Sequence, residues 1–396
     1  MSDSNRVKLS FQKQTEKGTI DGSSPFKEVR HTGGSFGEPI ETGRSGMVRS
    51  DAQRGPAVRL GKNPAAVYNI ELMAKIFDDL MSGFLRNGWS TPVDASGTDI
   101  TADNSASKFV STENVDWTGK NIAVGQWVYA SGFDEEGANG WFKVVSVSED
   151  DLEVTPAPAD DTNTESKSIS VEGSYVRNGT QDFYYALQCE HEDLTDAIRL
   201  IKDARIGQMS LTSNARAIVT GSFNFEGVSF EKKTSLSGNG EYDKADETEV
   251  LNSTDHVGAV YIDGDAYDGC LMDFSLTGNT NARRQNCIGQ LNSADVRLGA
   301  MDVSGSLSIY LTDTAWSGLF EKYRSFSKVS FAFPFTDSAG NGYVFEIIKA
   351  ALTNEPGNIP GPDGDVMLSF DFEAEPGSIG GESKTIQICR RVAPSE

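Results

Sequence analysis

The chain has 396 residues, with 58 Asp or Glu against 35 Lys or Arg and a formal charge of −23. Gripping a nucleic acid takes clustered cations that displace counterions, and no basic run here exceeds two residues, which excludes high-affinity DNA or RNA binding. No apolar run approaches the ~20 residues of a membrane-spanning helix, the segment 1–8 lacks the apolar centre of a secretory leader, and Cys189, Cys270, Cys287 and Cys389 form no CxxC pair. With 37% hydrophobic residues and 40 glycines, the expectation is a β-rich protein of two or three domains, folded in a reducing cytoplasm and joined by many turns.

Residues 1–57 are rich in Gly, Ser and charge, as in Gly33-Gly34-Ser35-Phe36-Gly37-Glu38, and read as an extended arm or long loop. Val58-Arg59-Leu60-Gly61 then precedes a strand-like stretch, 67–72. Ile76, Leu80 and Phe84 follow at helical spacing, beside Phe77 and Met81, and predict a helix with one apolar face that ends near Gly88. From 91 to 178 the texture changes to short alternating runs bounded by Gly, Asp or Pro, among them 125–130, 140–147, 152–155 and 168–173. These predict a small β-barrel or sandwich inserted into the main fold. Beyond it, 183–188 reads as a strand and 194–204 as a helix capped by Asp193 or Thr195. Residues 209–212 and 217–226 read as strands. The charged loop 231–256 marks a boundary between halves. Further strands are expected near 257–262, 269–278, 300–311, 329–335, 342–351 and 365–374, with a last one over 385–389.

One pattern occurs twice. Val296-Arg297-Leu298-Gly299 repeats the tetrapeptide of 58–61, and it too precedes an alternating run (303–311) and a helix-like stretch (314–320). A strand-then-helix module present twice suggests two copies of one fold unit. The long strands also share a chemistry. Phe223 and Phe225 alternate with Ser222, Asn224 and Glu226. Phe274 and Leu276 alternate with Asp273, Ser275 and Thr277. Val303, Leu307 and Ile309 alternate with Asp302 and a row of serines. Leu368, Phe370 and Phe372 alternate with Ser369, Asp371 and Glu373. Period-two alternation puts one face on a core and the other in water, and here the wet face is Ser, Thr, Asp and Glu with almost no Lys. Glu226, Asp273, Asp302, Asp371 and Glu373 are its acidic candidates.

The stretch Phe331-Ala332-Phe333-Pro334-Phe335-Thr336-Asp337 through Tyr343-Val344-Phe345-Glu346-Ile347, the loop 357–365 and the strand 366–370 resemble the C-terminal half of major tail tube proteins of long-tailed, siphovirus-type bacteriophages. Arg49 to Arg54, the Phe77-Asp78-Asp79-Leu80 helix and Trp89 resemble the same family. Gly125-Gln126-Trp127-Val128, Gly140-Trp141-Phe142-Lys143-Val144 and 176–180 resemble the inserted region of some members. The resemblance implies a mainly β chain of tandem duplicated tail-tube-like sheet or sandwich units with a few short helices. It implies an arm at 1–57, a first unit at 58–240 interrupted by the insertion at 91–178, a second unit at 250–375 and an arm or strand at 376–396. It further implies a structural virion protein, assembled in the host cytoplasm, whose rings stack into a hollow tube. Two units per chain imply three chains per ring. Expected partners are further copies of the chain and the tail terminator, baseplate or tail-tip and tape-measure proteins. DNA passes as non-adherent cargo along a bore lined by the five candidate carboxylates. No cofactor and no membrane are involved.

Other chemistries fit less well. His31, His191 and His256 have no metal-binding spacing, and no G-x-S-x-G elbow is present. Asp263-Gly264-Asp265-Ala266-Tyr267-Asp268-Gly269 hints at a calcium loop but lacks the third ligand at position five and the distal Glu, so it reads as a turn. The rival of a different class is a carbohydrate- or surface-binding, adhesin-like module in which Trp127 and Trp141 form a platform.

Overall fold

Alternating strands dominate the structure, a computed structural model that describes residues 3–393 except 112, 114, 164–165, 355–360 and 363. The fold is mainly β. The first part of the chain forms β1 (Val7–Gln14), β2 (Phe26–Val29), β3 (Gly33–Gly37), β4 (Ile40–Arg44), β5 (Ala57–Lys62), β6 (Ala65–Glu71) and helix α1 (Asp78–Leu85). Next come β7 (Val93–Gly97), β8 (Thr101–Asp103), β9 (Lys108–Val110), β10 (Trp127–Ser131), β11 (Gly140–Val147), β12 (Asp151–Thr155) and β13 (Ile169–Arg177). Then follow β14 (Tyr184–His191), β15 (Ile198–Asn214), β16 (Thr220–Glu226), β17 (Ser229–Lys233) and β18 (Tyr242–Asp243). The remainder holds β19 (Tyr261–Ile262), β20 (Asp265–Ala266), β21 (Leu271–Asn279), β22 (Arg283–Gln285), β23 (Asp295–Arg297), β24 (Asp302–Tyr310), helices α2 (Asp313–Ala315) and α3 (Glu321–Ser325) with a π-helical turn between them, β25 (Val329–Thr336), β26 (Gly342–Leu352), β27 (Met367–Ala374), β28 (Gly377–Ile379), β29 (Glu382–Lys384) and β30 (Ile386–Arg391).

Two strand orders recur. In the first half β3, β6, β16 and the C-terminal part of β15 pair side by side in that order. In the second half β21, β24, β27 and the end of β26 do the same. Each half also bends its longest strand out of this sheet into another. The first part of β15 lies between β14 and β17, with β1 beyond β14. The first part of β26 lies between β25 and β30, with β19 beyond β25. Between β3 and β6 the chain makes the hairpin β4–β5, and between β21 and β24 it makes β22–β23. Residues 58–61 lie in β5 and Val296 and Arg297 close β23, with Leu298 and Gly299 just beyond it, and the helices come after β6 and β24.

The two four-stranded groups are joined by β15 and β21, antiparallel from Gln208↔Asn279 to Asn214↔Asp273. This makes one continuous sheet of eight strands. Its inner side packs on a single core that includes Tyr68, Phe223, Phe225, Phe274, Leu307, Phe370 and Phe372. Helix α1 covers the joint. Asp78 and Asp79 sit in its first turn, where carboxylates favour the helix dipole, and Arg86 closes it in a left-handed cap. Phe84 lies over Gly278 so closely that a Cβ there would stand 2.2 Å from the ring; the joint tolerates no side chain at 278.

Strands β7 to β13 form a separate layer with its own core, containing Phe109, Trp117, Phe142 and Ile169. The order is β7-β13-β10-β11-β12-β9-β8. A two-bond bridge between Ala102 and Asp161 ties its far end.

Two expectations are corrected. Residues 1–57 are not a loose arm through most of their length. β1 is an inner strand between β2 and β14, with Leu9 and Phe11 buried on one side and Ser10, Gln12 and Gln14 buried on the other. Gln12 donates to the carbonyls of Asp21 and Ser24, and Gln14 to Asp203; polar residues satisfied this way hide a core strand from an apolar count. Residues 198–204 are strand, not helix. Both sides of β15 are buried there, including Ile198, Leu200, Ile201, Ala204 and Ile206, so apolar residues occur at helical as well as strand spacing. The strand expected over 385–389 is β30, a core strand between β13 and β26, with Ile386, Ile388 and Cys389 fully buried. Residues 394–396, and 357–360 and 363 of the loop 357–365, lie outside the described residues.

Candidate functional site

The outer side of the eight-stranded sheet gathers all five acidic candidates. Register sets its rows. One runs Asn69, Ser222, Ser210, Thr277, Ser304, Glu373. The next runs Glu71, Thr220, Thr212, Ser275, Ser306, Asp371. Asp273 lies beside Ser308 and Ser369, and Asp302 beside Asn279. Glu226 ends its strand next to Ala65. No Lys or Arg stands in the two long rows, while Arg205 stands opposite Glu226. The side chains are exposed or half-buried, apart from Ser308, while their neighbours Phe223, Phe274, Leu307 and Phe370 are buried beneath.

Short hydrogen bonds knit this face across strands. Ser210 and Ser222 share one of 2.8 Å, as do Ser275 and Ser306. Asn224 donates to Gln208 at 3.1 Å. Ser308 is bonded to Asp273 and Ser369 at 3.0 Å each. Asn281 donates to Asp302 at 2.6 Å and Asn354 to Asp371 at 2.8 Å. These donors are neutral, so the four carboxylates Asp273, Asp302, Asp371 and Glu373 keep the face negative. Glu226 differs. Arg284 of β22 pairs with it and donates to the carbonyls of Pro64 and Gly227 at 2.6 Å each, so its charge serves the joint between halves.

Other candidates resolve into structure. Trp127 and Trp141 are 1% and 6% exposed and lie where the inserted layer meets β26 and β25. Trp127 Nε1 donates to Glu346 at 3.0 Å, Trp141 Nε1 donates to Thr336 Oγ1 at 2.8 Å, and Lys143 pairs with Glu346 at 2.5 Å. They dock the insertion and offer no platform. Asp263 pairs with Lys322 and accepts the Ser330 N–H at 2.7 Å, which makes its loop a turn. Among the described residues no cluster of three His, Cys, Asp or Glu could hold a metal ion, and no helix is long and apolar enough to cross a membrane. The exposed carboxylates were legible from alternation. The residues that make the joint were not: Arg86, Arg205 and Arg284 meet their partners only through folding.

A family model for the phage tail tube protein matches residues 4–374. The chain belongs to the phage tail tube protein family. This tail tube protein is thus a structural component of the virion tail, from a family that self-assembles into the tail tube. No curated protein matches it. The match runs through both four-stranded groups and across the inserted layer, so the polar sheet face belongs to the shared part of the chain.

Proposed function

We propose that this protein forms rings of three chains that stack into a siphovirus-type tail tube, with the polar sheet face turned to the bore through which the genome leaves. The observation that carries this is the eight-stranded sheet itself: one side is core, and the other is hydrogen-bonded Ser, Thr and Asn carrying Asp273, Asp302, Asp371 and Glu373 without a cation beside them. The identical strand orders support a chain of two tandem units, about 1–90 with 179–240 and 250–396, around the insertion 91–178.

Barrel geometry supports the number three. With strands about 4.8 Å apart and tilted by about 40°, eight close at a backbone diameter of about 16 Å, sixteen at about 32 Å and twenty-four at about 48 Å. Side chains take about 5 Å from each wall. Eight strands then fill their own interior, and sixteen leave little more than a bare duplex. Twenty-four leave room for hydrated DNA. The carboxylates of every ring would repel phosphate over a screening length of about 8 Å at physiological salt, and the hydroxyls would keep the wall wet. The DNA is cargo, and no bond is made or broken. The tail terminator, tail-tip and tape-measure proteins would meet the tube at its ends and within it.

Negative-stain microscopy with scanning mass measurement of the purified chain tests this reading. Three chains per ring around a stain-filled bore are expected; rings of six chains, or no tubes, would overturn it.

A further inference from the structure

One buried carboxylate at the seam between the insertion and the second half holds an amine and an amide at once. Glu346 of β26 is 1% exposed. Its Oε1 accepts from Lys143 Nζ of β11 at 2.5 Å. Its Oε2 accepts from Gln387 Nε2 of β30 at 2.8 Å and from Trp127 Nε1 of β10 at 3.0 Å. The Lys143 amine and the Gln387 carboxamide therefore sit on the two oxygens of the same acid.

Register brings them there. Glu346 stands opposite Gln387 across β26 and β30, and Lys143 stands opposite Trp127 across β11 and β10. The insertion lays the second pair over the first: the Trp127 backbone N–H donates to Cys389 Sγ at 3.3 Å, and Trp127 packs in a cluster with Tyr261, Val344 and Cys389. Gln387 is completely buried, so water does not compete for its acyl carbon. The Lys143 side chain keeps 24% exposure, which leaves a way out for a small product.

The amide is also oriented. Arg177 Nε donates to Gln387 Oε1 at 2.7 Å, and Gln387 Nε2 donates to Gly125 O at 2.9 Å as well as to Glu346. A guanidinium only donates and a backbone carbonyl only accepts, so the opposite rotation of the amide would leave these bonds unmade. Its oxygen faces a buried cation, and its nitrogen faces the acid that holds the amine. Acyl transfer requires this arrangement: a nucleophile in contact with a base, the leaving nitrogen on that same base, and a donor on the oxygen where charge develops.

We propose that Lys143 and Gln387 condense in the folded chain into an intramolecular isopeptide bond, with Glu346 as the proton carrier and Arg177 as the oxyanion donor. Glu346 takes a proton from the Lys143 ammonium, and the freed Nζ lone pair attacks Gln387 Cδ. The C=O electron pair moves onto Oε1, where Arg177 holds it. Glu346 hands its proton to Nε2, the Cδ–Nε2 bond breaks as the C=O re-forms, and Nε2 leaves as ammonia. A second proton passes from Nζ through Glu346 to the ammonia, which departs as ammonium. One ammonium group and one primary amide become one secondary amide and one ammonium ion. Glu346 ends as the carboxylate it began as, and nothing is oxidised or reduced. The product ties β11 of the insertion to β30 covalently.

Mass spectrometry of the purified full-length chain tests this. The wild-type chain should be lighter than its sequence by one ammonia. The Lys143→Arg chain keeps a cation for Glu346 but lacks the nucleophile, and should have its full mass. Trypsin should release the bond as a branched peptide, Asn121–Lys167 joined to Thr385–Arg390, because acylated Lys143 is no longer cleaved. In denaturing gels the wild-type chain, closed into a loop between 143 and 387, should migrate apart from Lys143→Arg. A wild-type chain at its full sequence mass, both fresh and after prolonged warming in the folded state, overturns the proposal. Loss of one ammonia without the branched peptide, as from succinimide formation at an Asn-Gly step such as Asn87-Gly88, overturns it too. A branched peptide joining Lys143 to Glu346 with loss of water overturns the choice of acyl partner. Each of these outcomes is read on the wild-type chain and stands whether or not the variant folds.

Discussion

Val58 and Val296 hold the same place in a repeated tetrapeptide, yet Val296 is fully buried and Val58 is 56% exposed. The difference lies outside the tetrapeptide. Val296 sits in a hairpin clamped by Arg86, Arg205 and Lys17 of the first half, whereas the hairpin of Val58 touches the second half at Lys62, which donates its N–H to Leu291 O, and leaves Val58 in solvent. The same local sequence is a core element when a preceding unit is present and an open surface when it is not.

Breaking the joint between halves should have the largest effect. Val296→Asp buries an unpaired carboxylate and should cost the monomer about 3–4 kcal/mol or more, read as a lowered denaturant midpoint. An unchanged midpoint would show that the hairpin is not held. Trp127→Ala removes a fully buried indole between the insertion and β26 and should cost about 3 kcal/mol. Limited proteolysis should then cut between 91 and 178 first, while the eight-stranded sheet stays resistant; if both are cut together, the insertion is part of the same cooperative core.

The buried phenols report on both halves at once. Burial pushes the pKa values of Tyr68 and Tyr185 in the first half, and Tyr343 in the second, well above the ordinary tyrosine value. Tyr343 also donates to the Asp78 carboxylate at 2.6 Å, which raises it further. These groups keep their protons in the folded chain when the unfolded chain loses them, so above about pH 10 the unfolded state binds fewer protons and stability falls. Burial raises the Cys389 thiol as well, which adds a loss of the same sign beginning nearer pH 9. The unfolding midpoint should drop steadily from there upward, and Tyr343→Phe should shallow that drop. A midpoint independent of pH between 9 and 11 would contradict the burial.

The polar face should separate assembly from passage. Replacing Asp302, Asp371 and Glu373 together by Lys should leave the monomer midpoint within about 1 kcal/mol, because exposed charges contribute little to stability. Tubes should still form, while genome release in a triggered-ejection assay slows severalfold; unchanged release would remove these side chains from the passage. Val58→Asp should have the smallest effect on the monomer, below about 0.5 kcal/mol, and a large one on ring formation by sedimentation. Normal rings would place β4–β5 outside the contacts between chains.

Much of this was legible in the sequence because it depends on local alternation. A strand with one face on a core and one in water writes its orientation at every second residue, so 222–226, 271–277, 302–310 and 366–373 revealed both the sheet and its five acidic positions. The helix at 78–85 was legible for the same reason at its own period. Tertiary structure alone decided the rest. Strand β1 and the first part of β15 are buried on both sides, which erases the period-two signal, and the polar residues of β1 look like loop until their buried partners are known. Trp127 and Trp141 are equally compatible with a binding platform and a docking surface until β26 covers them. Glu226 alternates like its four companions, but its charge is taken by Arg284, 58 residues away. The tetrapeptide carries no record of which copy will be covered, since burial is a property of what packs against a residue and not of the residue itself.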